Sequence, residues 1–185
     1  MKNLFLQPNK FSRSERKIKE VRGLILHYPD WPCGTPEDIW EDWMIGHRYG
    51  STQFVIDQTG VFKFMPLDEV AYHVGSHNPT LLAKQRFSGI RANYYLLGAE
   101  LCHPDTDGKP YNKVMHYAIE LYAFLCMKFN LNPIEDILLH YDITHKQCPK
   151  WFLDYPQEFE YFKDRVKEHI EYHLEVHPDE SPEVF

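Results

Sequence analysis

Two histidines and one cysteine carry the first chemical hint. His27 closes the apolar run 22–28 (RGLILHY), His140 closes the run 136–141 (DILLHY), and Cys148 follows eight residues after His140, with Lys146 two positions before it. Both histidines thus sit in near-identical contexts, LILHY and LLHYD. Strand ends in α/β proteins hold side chains rigidly and leave them open to solvent, so sites are commonly built there. Two imidazoles and a thiolate suit a zinc ion with a fourth position left for water, and water on such an ion ionises near pH ~7. A histidine in a strand is equally a hydrogen-bonded core residue, and a loop cysteine equally an inert one. Spacing alone leaves both readings open, together with a third in which Cys148 is a nucleophile served by His140.

The elements that position these residues can be read from pattern. Run 22–28 is a short, wholly apolar strand of the kind that fills a sheet centre. Thr35, Pro36, Glu37 and Asp38 form a helix start, with a capping hydroxyl, a proline at the first helical position and two acids facing the dipole. Trp40, Trp43 and Met44 share one side of that helix, which is expected to run to Gly50. Runs 53–57 and 61–65 read as a hairpin about Gln58, Thr59 and Gly60. Residues 75–93 read as a long loop, 94–101 as a strand, 113–129 as an amphipathic helix, 136–141 as a buried strand, 142–150 as a loop and 156–173 as a charged last helix. This order predicts an α/β fold: a single domain with a central mixed β-sheet flanked by helices. The expected division is an N-terminal arm over 1–20, the domain over 21–173 and an acidic tail over 174–185.

Composition narrows the class. Of 185 residues, 43% are hydrophobic and 15% aromatic, enough for a core and for a groove that holds sugars or peptides. A formal net charge of −7, without a compact basic run, argues against a nucleic-acid partner. No run reaches the roughly 18 apolar residues of a membrane span, and the first twenty residues lack the apolar core and cleavage site of a signal peptide. The four cysteines (33, 102, 126 and 148) include no CxxC pair and do not read as a disulfide framework. The expectation is a monomer made in the cytoplasm.

Four motifs in order then become informative: LILHY, QFVIDQTGVFKFMPLDEVAYHVG, N-x-x-x-L-G-A-E-L-C-H-P-D and LLHYDITHKQCP. Together they resemble the zinc-dependent N-acetylmuramoyl-L-alanine amidases of phage lysins and bacterial autolysins, relatives of the peptidoglycan recognition proteins. The resemblance runs from about residue 21 to about residue 151. It implies a Zn2+ cofactor held by His27, His140 and Cys148, with Glu100 as general base and Lys146 directed at the scissile carbonyl oxygen. It places His73 and Asn93 at the substrate groove, with peptidoglycan as the partner. Such a chain acts on the cell wall after release or export by another route. A recognition protein that binds peptidoglycan without cutting it is the alternative. Other branches carry a catalytic tyrosine near the position of Thr52; the resemblance then leaves proton transfer to Glu100 alone.

Overall fold

The computed structural model describes residues 1–177. The elements, in chain order, are β1 (Lys2–Asn3), β2 (Gly23–His27), α1 (Pro36–Ile45), β3 (Phe54–Asp57), β4 (Gly60–Lys63), α2 (Leu81–Arg86), a 3-10 helix (Gly89–Tyr94), β5 (Leu96–Leu101), α3 (Asn112–Phe129), α4 (Pro133–Asp136), β6 (Ile137–Leu139), α5 (His140–Thr144), α6 (Lys150–Asp154) and α7 (Pro156–Val176). The strands form one sheet in the order β1-β4-β3-β5-β2-β6. Every pairing is parallel except the β3–β4 hairpin. This is the mixed sheet flanked by helices that the sequence predicts.

The central strands read as unbroken apolar runs because both faces of the sheet are covered. Alternate residues go to opposite sides. Leu24 and Leu26 of β2, Leu97 and Ala99 of β5, and Phe54 and Ile56 of β3 face α3 and α7, forming the largest core with Leu121, Tyr122 and Phe162. On the other face Val55, Phe62 and Phe64 pack against Ile39 of α1. Farther along that face, Ile25 and Leu96 pack against Ala83 and Phe87 of the α2 region. Between these two smaller cores the same face carries Gly98, Glu100 and His27, and the polar site occupies that gap.

Helix α1 starts as expected. Thr35 Oγ1 accepts from the Asp38 N–H at 3.1 Å, and Asp38 Oδ2 accepts from the Thr35 N–H at 2.9 Å. It ends earlier than expected, at Gly46 in the left-handed region (φ 68°), because glycine takes that conformation without a Cβ clash.

Other expectations need correcting. Residues 1–20, expected as an N-terminal arm, pack against the domain. Lys2 and Asn3 add an edge strand beside β4, Leu6 is fully buried, and Arg13 grips Glu69 through two contacts of 2.7 and 3.0 Å. The span 75–93 contains α2, capped by Thr80 Oγ1 on the Ala83 N–H at 3.1 Å. The last helix runs on to Val176, and positions 178–185 of the expected acidic tail lie outside the described residues. Among the described residues no helix is long and apolar enough to cross a membrane.

Candidate active site

Register builds the first part of the site. Neighbouring parallel strands that are in register point their side chains the same way. Glu100 of β5 pairs with His27 of β2 on one side and with Val55 of β3 on the other. Imidazole and carboxylate therefore project side by side from the carboxyl ends of the central strands, where open α/β sheets bind ligands.

A tight turn builds the second part. His140 is the first residue of α5 and not the last of a strand, one residue beyond β6. Asp142 Oδ2 accepts the Leu139 N–H at 2.8 Å and fixes this entry. Helix α5 stops at His145 (φ 62°), and the chain folds back, with the Tyr141 N–H donating to the Cys148 carbonyl at 3.1 Å. Cys148 Sγ is thereby brought to 3.7 Å from His27 Nδ1, although 121 positions separate them. The ligand atoms of His27, His140 and Cys148 all lie within 4.8 Å of one another, and all three residues are buried.

These residues fit a metal ion. Bonds of about 2.0 Å to nitrogen and 2.3 Å to sulfur at a tetrahedral angle put N and S about 3.5 Å apart, close to the 3.7 Å observed. His140 Nδ1 is buried without a hydrogen-bond partner. A buried polar atom left so is costly, and a bound cation removes the cost.

Burial governs the electrostatics. It lowers His27 well below the usual imidazole range, helped by His140, His73 and Lys146. It brings His140 down to about 3, with Lys146 and His73 adding to the effect. Both rings are therefore neutral and able to ligate. Burial also pushes the Cys148 thiol up to about 12, reinforced by Glu100 and opposed by the Tyr28 N–H and Lys146. Glu100 is raised to about 7, again by burial, with the Lys146 ammonium pulling the other way. Its Oε2 is buried and has no partner. Lys146 itself is exposed at the rim.

A groove of about 940 Å³ opens over these groups and is walled by Tyr28, Trp31, Trp43, Tyr49 and Tyr72. Asn93 lines it too, and its Oδ1 accepts the N–H groups of His73 and Val74 at 3.2 and 2.9 Å. His73 borders the groove, but both ring nitrogens are engaged inside the protein. Nδ1 meets His27 Nε2 at 2.9 Å, and Nε2 meets the Leu96 carbonyl at 3.2 Å. The ring thus borders the groove while both of its nitrogens are held by the protein. Thr52 is fully buried, and its hydroxyl donates to the Phe54 carbonyl at 2.8 Å.

Sequence reasoning missed Gln53 and Gly98. The Gln53 side chain accepts the Gly98 N–H at 2.9 Å and donates to the Glu69 carbonyl at 3.1 Å, tying the floor of the groove together. A glycine inside a strand was the available signal, since it often marks a close approach.

The family model for N-acetylmuramoyl-L-alanine amidase matches residues 17–151, which include every residue of this cluster. The chain belongs to the N-acetylmuramoyl-L-alanine amidase family. Over 170 residues the chain is 32% identical to the amidase BlyA of Bacillus subtilis (strain 168), covering 89% of this chain and 46% of that protein. It is 26% identical to the amidase CwlL of Bacillus licheniformis over 167 residues, covering 88% and 45%. This amidase-family chain thus spans about half the length of the curated relatives it matches. Among solved structures, the PlyG catalytic domain superposes with a TM-score of 0.72 at 18% identity, covering 91% of this chain and 94% of that one. The XlyA catalytic domain gives 0.70 at 18%, covering 89% and 97%. At such identity the likeness is one of fold.

Proposed function

We propose that this chain hydrolyses the amide bond between the lactyl group of N-acetylmuramic acid and L-alanine in peptidoglycan, with a zinc ion held by His27, His140 and Cys148. The observation that carries the reading is the convergence of those three ligand atoms within 4.8 Å, beside Glu100, in a member of an amidase family. Two nitrogens and one sulfur with an open fourth position suit zinc better than harder ions that prefer oxygen. When bound, zinc supplies a Lewis acid for the carbonyl and makes water ionisable near pH ~7.

The chain's own groups do the rest. Glu100, raised to about 7, can hold or release a proton at neutral pH. It takes the proton of the attacking water and delivers it to the departing L-alanine nitrogen, so that a neutral amine leaves. The Lys146 ammonium stands at the rim where it can offset charge growing on the carbonyl oxygen. Tyr28, Trp31 and Tyr72 offer apolar faces to sugar and peptide. Asn93 shapes the wall of that groove through the backbone at 73–74. A thiol peptidase is disfavoured: it needs one histidine beside its cysteine, whereas both His27 and His140 converge on Cys148.

Digestion of purified peptidoglycan followed by mass analysis tests the proposal. Stem peptides with a free N-terminal L-alanine, released from uncut glycan, are expected. Cuts within the stem or the sugar chain, or binding without products from the zinc-loaded protein, overturn it, the last outcome pointing to a recognition protein.

A further inference from the structure

We infer that His73 is a positioning residue that sets the tautomer of His27, so that His27 presents an unprotonated Nδ1 toward Cys148. The inference rests on the metal site proposed above and assigns it a supporting residue. Three contacts fix the direction of the protons. A carbonyl oxygen can only accept, so the 3.2 Å contact with the Leu96 carbonyl requires a proton on His73 Nε2. A neutral ring carries one proton, which makes His73 Nδ1 an acceptor. The 2.9 Å contact with His27 Nε2 therefore requires the His27 proton there. His27 Nδ1 is left with a free lone pair, and it is the atom that lies 3.7 Å from Cys148 Sγ.

The surroundings are built around this pair. The rings meet edge to face, 5.1 Å between centroids at 73°. Beneath them lies Gly98, where a Cβ would sit 2.7 Å from His73 Nδ1 and 3.2 Å from His27 Nε2, on top of the hydrogen bond. Only glycine leaves room for the contact. Asn93 holds the His73 backbone from the other side through its N–H at 3.2 Å. A chain of fixed groups thus runs from the Leu96 carbonyl through His73 to His27. Ligating histidines usually give their second nitrogen to a carboxylate or carbonyl. Here an imidazole is interposed, and it passes the carbonyl's orientation on to the ligand.

The test uses the whole chain loaded with zinc. Long-range 15N–1H spectra of the histidine side chains should show His73 as the Nε2–H tautomer and His27 protonated at Nε2. Zinc affinity, read by competition with a chromophoric chelator, should fall roughly 10–100-fold in His73→Phe. It should recover largely in His73→Gln, which can accept from His27 and donate to Leu96. A His27 proton on Nδ1 in the unmutated chain overturns the inference, and so does a His73→Phe protein that folds and binds zinc as tightly as its parent. If the unmutated chain takes up no zinc, the metal reading fails, and the same spectra, recorded on the chain as isolated, still decide the tautomer.

Discussion

Glu100 carries the most decisive predictions because its environment and its proposed task pull on the same proton. As general base it should contribute on the order of 10²–10⁴-fold in rate. Glu100→Gln should lose that much amide hydrolysis, measured as amine release at equal zinc occupancy, while still binding wall; near-parental activity would assign the proton to another group. The rate of the unmutated chain should climb as pH rises through a value at or below about 7, since a bound cation moves the limb down from the metal-free position. Stability responds in the opposite sense. Between the ordinary carboxyl value and about 7 the metal-free folded chain keeps a proton that the unfolded chain has released, so its stability falls across that interval and stays lower above it. At about 1.4 kcal/mol per pKa unit the decline amounts to a few kcal/mol at most. Metal-stripped Glu100→Gln should therefore resist urea better than its parent at pH 8 and equally at pH 4. At this scale the sequence was informative where a motif exists. His27, His140, Cys148 and Glu100 could be named in advance through the family's spaced elements. The contacts of His73 could not, because its partners Leu96 and His27 lie 23 and 46 positions away and no local pattern encodes them.

Elements explain why some of the architecture was legible and some was not. Strands β2, β3 and β5 announce themselves through apolar runs that both faces require. Helix α3 does so through Val114, Ala118, Leu121 and Leu125 on one buried stripe. Helix α2 is only six residues long, and of these only Ala83 is buried, so periodicity had nothing to register. The first twenty residues look polar because what holds them is mostly polar. The Leu4 and Leu6 N–H groups donate to the Lys63 and Phe64 carbonyls at 2.9 and 2.8 Å, the Ile18 N–H donates to the Asp68 carbonyl at 2.8 Å, and Arg13 clasps Glu69. That clasp can be tested. The Arg13 and Glu69 side chains are only 13% and 6% exposed. Removing one member of a buried pair strands the other charge and costs roughly 3–5 kcal/mol. Arg13→Ala should lose stability of that order in urea denaturation, and adding Glu69→Gln should recover part of it. A loss under about 1 kcal/mol would mean that the segment contributes little to the fold.

Across the whole molecule, the site ties three elements together on the face of the sheet opposite the large core. His27 belongs to the sheet, His140 to the short helix after β6, and Cys148 to the returning loop, while the core of Leu24, Leu26, Tyr122 and Phe162 lies on the far face of the sheet. Removal of the proposed ion should therefore loosen the region carrying α5 and its loop and leave the rest of the fold in place. A ligand that binds only the folded state stabilises by RT ln(1 + [L]/Kd), about 2.7 kcal/mol at a hundredfold excess over Kd. Chelation should accordingly lower the thermal midpoint by several degrees while leaving the far-ultraviolet circular dichroism in place, and zinc should restore the midpoint. Metal uptake must also displace the proton of Cys148, whose thiol burial pushes up to about 12. Zinc affinity should therefore weaken as pH falls, and calorimetry in buffers of different ionisation heat should register at least one proton released per ion bound. Cys148→Ser should abolish most of that release. A thermal midpoint indifferent to chelator, or uptake without proton release, would mean that the cluster of His27, His140 and Cys148 does not hold the ion.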